Sequence, residues 1–384
     1  MTTDLQVFDL AFRSGLHIGV RGVNLEETGV IVPSDTLFAA LVDAYRRAGG
    51  DPDAWIAHFP RRTSAGVTEG AAPFVLTSAF PYAGDVRFFP MPVRIDGVFS
   101  REVLDERRKL IKRIRFVSEG LFRRILAGKR LDDVLFPVDP TDPTTSGVGL
   151  QEGTLWLSAD EIADLPPAIR PPRGREHALR RQEVYAQQQV PRVTVERVGS
   201  ASDIYHVGRT TFAEGCGLWF GVAWREAEPT LPNGACWREA FRTALGLLAD
   251  DGLGGERAAG YGAFEVAREG TLKLPAPTAG GIGLLLSRYH PREAELPDSL
   301  DGPGTAYQLV AVGGWLRSWD GAAQRRKRLW MVEAGSTIRM PEDGQCGGVV
   351  DVRPEYEASE TRFPHPVWRA GLGLAVGMQE VIRG

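Results

Sequence analysis

Lysine is nearly missing from this chain. Lys109, Lys112, Lys129, Lys273 and Lys327 are five of its 45 basic residues, and the rest are arginine. Genome base composition is the simplest source of that bias. Its physical effect is that almost every cation is a planar guanidinium, suited to phosphate and to stacking. Cysteine is also scarce. Cys216, Cys236 and Cys346 stand far apart with no CxxC pair, which excludes a disulfide framework or a cysteine zinc site and fits a reducing cytosol. No stretch approaches 18 apolar residues, so no transmembrane helix is expected. The opening Met-Thr-Thr-Asp-Leu-Gln-Val has no basic region followed by an apolar run, so no signal peptide is expected and the location read is cytoplasmic. The six histidines are scattered without ligand spacing, and HExxH, GxSxG and Gly-Lys-Ser/Thr are absent. No metal and no cofactor are therefore expected. A formal net charge of −4 excludes a polybasic nucleic-acid binder, leaving local patches as the route to such a partner.

What is present is an ordinary globular composition, 43% hydrophobic and 24% charged over 384 residues, enough for two or more domains. The most distinctive stretch runs from Gly252 to Val266. It gathers Gly252, Gly254, Gly255, Gly260 and Gly262 around Arg257 and Tyr261. Before it, Trp237, Ala240, Phe241, Ala244, Leu245 and Leu248 recur at helical spacing; after it, Ala263 to Val266 reads as a strand. The order helix, glycine loop, strand is the reverse of phosphate-binding nucleotide motifs, where the loop opens a helix whose N-terminus faces the phosphate. A nucleotide triphosphate site is excluded on that ground. Glycines still allow close approach of a backbone, and Arg257 adds a planar cation. A flexible surface turn is the plain alternative.

In chain order, Leu5 to Arg13 alternates as a strand and is followed by a turn-rich loop with His17 and Gly19. Pro33-Ser-Asp-Thr36 opens a helix, with Asp35 complementing its N-terminal dipole, Leu37, Phe38, Leu41, Val42 and Tyr45 on its buried face, and Gly49-Gly50 as its stop. Short strands are expected between residues 74 and 95. Residues 101–130 carry eleven basic residues against four acidic ones. The apolar residues Leu110, Ile111, Ile114, Phe116, Leu121 and Phe122 interleave them, so the segment reads as packed. Its Lys112, Arg113 and Arg115 are candidates for a phosphate-tracking surface, with a solvated amphipathic face as the alternative. Residues 137–175 look like an insertion rich in Pro, Gly, Thr and Asp. Arg192 and Arg197 bracket an alternating Val193, Val195 strand, and Tyr185 and Gln187 to Gln189 are placed to reach bases. After Pro275 the pattern restarts, with strands at 281–287, 307–316, 328–332 and 348–352 and a helix expected within Pro291 to Leu300. The fold class expected is α+β: two ferredoxin-like (RRM-like) units, residues 1–272 with long insertions and a thumb hairpin, and residues 273–384.

A catalytic constellation is hard to assemble. His17 could serve as a general base in RNA cleavage and Asp35 as an acid, but a lone loop histidine is commonly structural, and Asp35 is explained by its helix.

An ordered series of segments carries a family resemblance. It comprises Leu16-His-Ile-Gly19, Pro33 to Leu41, Phe88-Phe-Pro-Met-Pro92, Lys112 to Ser118, Pro191 to Arg197, the glycine loop 252–262, Gly313-Gly-Trp315, Glu333 to Ser336 and His365 to Gly371. In this order the chain resembles the fourth subunit of the Csm complex, a RAMP-superfamily family of type III-A CRISPR effectors active in antiviral defence. The resemblance implies two ferredoxin-like domains and a non-catalytic role: binding the 5′ repeat-derived handle of the guide RNA, and contacting the large polymerase/nuclease subunit and the backbone subunit. It also implies a thumb-like hairpin meeting the RNA. Carried onto this sequence, it marks the glycine loop with Arg257 as an RNA cradle, His17 and Gly19 as handle contacts, and Arg192 and Arg197 as a basic strand facing RNA. Glu196 stands where aspartate is expected.

Two other readings compete. In one, the chain is a RAMP endoribonuclease processing precursor guide RNA with His17 as general base. In the other, it is the target-cleaving backbone subunit, which needs an acidic residue in the loop after the first strand; Glu26 and Glu27 lie there, but the aspartate does not.

Overall fold

The computed structural model describes residues 1–19, 25–136, 147–171, 176–195, 202–225, 230–231, 234–316, 324–354, 356, 363 and 365–379. The largest sheet has nine strands. Its order runs Phe264–Pro275, Thr2–Phe12, Cys216–Trp224, Phe80–Ala83, Val86–Pro90, Phe116–Ser118, Leu155–Leu157 and Val148–Leu150, with Phe74–Leu76 also paired to Cys216–Trp224. The first strand lies between two antiparallel neighbours. Leu5 pairs with Leu272 on one side and Phe8 with Phe220 on the other, and the edge register slips at Asp9/Leu10.

Alternation along the first strand sends side chains to two different cores. Phe8 and Leu10 face one; Leu5 and Val7 face the other. Two helices cover the first face. Ser34–Arg47 buries Leu37, Phe38, Leu41, Val42 and Tyr45, and Trp237–Asp251 buries Trp237, Ala240, Phe241, Ala244, Leu245 and Leu248. Both sets match the helical spacing in the sequence. Phe8 stacks on Phe220 at 5.1 Å and meets Phe241 at 5.8 Å; each fully buried ring of this kind contributes about 1.5–3 kcal/mol of transfer free energy. The second face is closed by buried residues between Val98 and Leu135 and between Leu150 and Ile169, by Leu179, Val184 and Tyr185, and by Leu284, Leu286, Leu374 and Val376. The basic segment is packed there as expected: Ile111, Ile114, Phe116, Leu121 and Phe122 are buried.

A long hairpin, Tyr185–Val195 with Ser202–Phe212, stands outside this sheet as its own two-stranded ribbon. Beyond Pro275 the chain forms small sheets. Ile282–Leu285 lies between Thr337–Arg339 and Ala375–Gly377. Val349–Asp351 pairs in parallel with Arg61–Thr63, so an early strand is built into the late part of the chain. No α-helix follows Asp251 among the described residues. The helix expected within 291–300 is replaced by a single 3-10 turn, Glu293–Glu295, because Glu295 turns inward to hold Arg292, the Tyr289 hydroxyl and the Gly347 amide.

Asp35 sits in the first turn of its helix, as expected, and there it takes on a second role. The N-cap Pro33 supplies no side-chain cap, and Asp35 is fully buried. Its carboxylate accepts from Arg288 Nη1 at 3.2 Å and from Arg369 Nη1 at 2.8 Å. Arg288 also donates to Glu333 at 3.0 Å. This network ties the first helix to the late strands. Burial holds Arg369 below the ordinary arginine pKa, partly opposed by Asp35.

Candidate nucleic-acid interface

The glycine loop leaves Trp237–Asp251 through Gly252, runs through a 3-10 turn at Arg257–Ala259, and enters the edge strand at Phe264. Helix, loop and strand follow the expected order. The loop lies against the chain that leaves the first strand. The Gly255 amide donates to the His17 carbonyl at 2.9 Å, and the Gly262 amide donates to the Gly15 carbonyl at 2.8 Å. Glycine is required by this closeness. At Gly254, with φ +92°, a Cβ would sit 2.4 Å from the His17 carbonyl oxygen; at Gly255 it would meet the His17 ring at 2.8 Å.

This packing changes what the loop offers a ligand. The amides of Gly252, Gly255, Gly260, Tyr261 and Gly262 all donate to the chain's own carbonyls, so these groups are not bare phosphate donors. The exposed part is Arg257 to Gly260, and Arg257 forms no salt bridge among the described residues. His17 is 4% exposed. Its Nδ1 lies 2.8 Å from the Gly208 carbonyl oxygen, in the hairpin. His17 thus wedges the glycine loop against the hairpin, while Gly19 is exposed and bridged to Thr28.

The hairpin brings Arg192 to the same place. Its guanidinium lies over the Tyr261 ring, 5.4 Å from the centroid, a cation–π contact. The neighbouring Tyr261 phenol is the first cause of a raised Arg192 pKa, with Glu256 adding to it. Arg192 pairs in register with Tyr205, which is partly exposed. Arg209, further down the hairpin, packs its stem over Gly15 and donates to Gln188 Oε1 at 3.2 Å. Tyr205 and Arg209 extend the surface and were missed in the sequence; strand alternation from Arg192 and the register of the hairpin were the signals that would have found them. Arg197 lies outside the described residues.

Other expected contacts fall elsewhere. Tyr185 is buried and its phenol is pushed up by that burial, partly countered by Arg115, so it does not present a ring to bases. Gln187 donates through its side chain to the Thr28 carbonyl. Lys112, Arg113 and Arg115 are all exposed, but they precede Phe116–Ser118, four strands across the sheet from the first strand. Arg115 neighbours Tyr185 at the foot of the hairpin, and the seven residues from there to Arg192 span roughly 24 Å of extended strand. Basic segment and glycine loop are therefore not one cluster. Among the described residues no group of His, Cys, Asp and Glu could hold a metal ion, and no helix is long and apolar enough to cross a membrane.

The fold and this surface define a mixed α+β protein with a glycine loop clamped under a basic hairpin. Residues 279–378 match the family model of the CRISPR Csm4 C-terminal domain. Csm4 of Mycobacterium tuberculosis (strain H37Rv) is 25% identical over 342 residues, covering 88% of both chains. Csm4 of Thermococcus onnurineus (strain NA1) is 24% identical over 355 residues, covering 90% of this chain and 91% of that one. Among solved structures, a chain of the Csm3–Csm4 subcomplex of the type III-A CRISPR-Cas interference complex shares the fold at a TM-score of 0.59 and 15% identity, covering 98% of this chain and 99% of that one. A chain of the Csm1–Csm4 cassette in complex with pppApA aligns at a TM-score of 0.52 and 17% identity, covering 98% of each. Over most of its length the chain is thus similar to Csm4 proteins.

Proposed function

We propose that this chain is a non-catalytic subunit of a type III-A CRISPR effector complex, that it binds the 5′ handle of the guide RNA, and that it links the large subunit to the backbone subunit in antiviral defence. The linking role follows from full-length likeness to chains solved with Csm1 and with Csm3. The RNA role rests on one observation: the Arg192 guanidinium of the hairpin lies over the ring of Tyr261, in the glycine loop that also carries the exposed Arg257. A guanidinium on an aromatic ring, flanked by a further cation, suits the phosphates and splayed bases of single-stranded RNA. The burial of His17 and the bond at its Nδ1 support a positioning role for that ring rather than proton transfer. Lys112, Arg113 and Arg115 would meet RNA that continues along the foot of the hairpin.

Two units are proposed, residues 1–272 and 273–384, the edge strand continuing to Pro275. In the first, edge strand, first strand, Cys216–Trp224 and the broken pair Phe74–Leu76 and Phe80–Ala83 lie in the order 4-1-3-2 with helices after the first and third, which supports a ferredoxin-like reading.

The test compares binding of the purified chain to a handle-bearing guide RNA and to the same RNA with the handle scrambled, with magnesium present and RNA integrity read on a gel. Tighter binding to the intact handle is expected, without cleavage. Arg192→Ala and Arg257→Ala should each weaken it roughly three- to tenfold and lower the salt slope by about 0.7. Cleavage that is lost in His17→Ala would replace this reading with the endoribonuclease.

A further inference from the structure

A second surface lies away from the glycine loop. A cleft of about 830 Å³ opens between Arg62-Thr63-Ser64 on one side and Lys327 to Trp330 with Val350, Asp351, Arg353, Pro354 and Tyr356 on the other. That volume falls in the usual range of ligand sites, about 300–1,000 Å³. Its walls carry Arg62, Lys327, Arg328 and Arg353, with Asp351 the one acidic residue among the described lining. Asp351 is occupied: Arg353 Nε donates to it at 2.8 Å, and the Arg353 and Val367 amides donate to its other oxygen. Arg62 approaches Glu293 only at 3.9 Å, with both side chains more than half exposed, a pair of little strength. His290, also in the wall, is held below the ordinary histidine pKa, first by burial and also by Arg62. With Arg353 paired to Asp351, Arg62 and Arg328 still leave the described lining an excess of positive charge in a chain of net charge −4.

It also carries exposed aromatic surface. Trp330 is 56% exposed, and its backbone carbonyl accepts from His290 Nδ1 at 2.8 Å, which fixes that stretch of strand while leaving the indole in solvent. The pattern continues past the cleft. Val312 pairs with Leu329 and Trp315 with Arg325. Trp315 is 51% exposed, with the Arg325 guanidinium 5.1 Å from its ring centroid. The sequence reads Arg325-Arg-Lys-Arg-Leu-Trp330, a basic run closed by a tryptophan. Exposed indoles among cations are the surface on which bases stack while phosphates are neutralised. The five residues from Arg325 to Trp330 span about 17 Å of extended chain, longer than one nucleotide, which favours a polymer over a free nucleotide.

We propose that this cleft is a second binding site for single-stranded RNA, separate from the glycine-loop surface, in which Trp330 stacks a base and Arg62 and Arg328 hold neighbouring phosphates. The assignment stands whether or not the handle reading does.

The test uses the intact chain and a fluorescent oligouridylate of about 12 nucleotides, followed by anisotropy over a salt series. Arg62→Ala/Arg328→Ala should weaken binding roughly tenfold at physiological ionic strength and lower the salt slope by about 1.4, the value for two lost contacts on a single strand. Trp330→Ala should weaken it about fivefold or more, and Trp330→Phe should restore most of the loss. In the unaltered chain, a 4-thiouridine-substituted probe should crosslink to the peptide containing Trp330. That adduct should persist in Arg192→Ala/Arg257→Ala, which separates this site from the other. Absence of the adduct, or wild-type affinity and slope in both cleft variants, would overturn the proposal. So would a loss confined to binding of an acidic protein partner.

Discussion

Replacing Asp35 by alanine should destabilise this protein more than any single surface change. The carboxylate is fully buried and receives Arg288 and Arg369. Without it, Arg288 keeps Glu333 at 3.0 Å, but Arg369, only 8% exposed, retains just a 3.4 Å contact with Thr36 Oγ1. An unpaired buried guanidinium remains, and breaking a buried pair in this way costs about 3–5 kcal/mol. A chain of 384 residues that unfolds as one unit has an entropy near 0.8 kcal/mol/K at about 2.1 cal/mol/K per residue. The melting temperature should then fall by roughly 4–6 °C. The decisive measurement is a double-mutant cycle with Arg369→Met. The double variant removes both charges together, so it should recover most of the loss and melt close to the wild type. A fall below 1 °C for Asp35→Ala, or strict additivity in the cycle, would show that the network contributes no more than an exposed pair.

Other outcomes follow from the same geometry. Gly254→Ala forces a side chain into φ +92° and onto the His17 carbonyl, so it should destabilise by at least about 2 kcal/mol and weaken RNA binding; thermal melts beside anisotropy check this, and a neutral result would refute the close clamp. His290 has a depressed pKa, burial first and Arg62 second among the lowering influences, opposed by the Trp330 carbonyl and Glu295. The unfolded chain therefore binds more protons as the pH falls below about 6.5, and stability present above that pH is lost as the pH falls through the folded value. A melting series from pH 8 to pH 5 should show a steeper decline for the wild type than for His290→Gln; parallel curves would contradict it. The buried Trp219 donates to the Phe88 carbonyl at 2.9 Å. Trp219→Phe should cost about 1–3 kcal/mol for the orphaned acceptor and lost contact, read as a shift in the urea midpoint, and an unchanged midpoint would argue against that bond.

The sequence by itself determined the local elements. The buried faces of Ser34–Arg47 and Trp237–Asp251 were legible because helical periodicity is written residue by residue. The helix, glycine loop, strand order was legible from spacing, and the packed character of 101–130 from its interleaved apolar residues. Tertiary structure decided which charges and rings meet. Asp35 looks like a helix-start acid, yet it is the hub of a buried ion network whose partners arrive from Arg288 and Arg369. His17 reads as a lone loop histidine with a structural or a catalytic role open, and the fold wedges it between hairpin and glycine loop. Lys112 to Arg115 and Arg257 share a sign but not a place. The run Arg325 to Trp330 gains its meaning only when Arg62, from a strand paired in parallel with Val349–Asp351, closes the other wall of the cleft. Periodicity encodes which way a side chain faces its own element. Contacts between residues hundreds of positions apart depend on how the sheets cross and on what each burial leaves unpaired, and no local pattern carries that information.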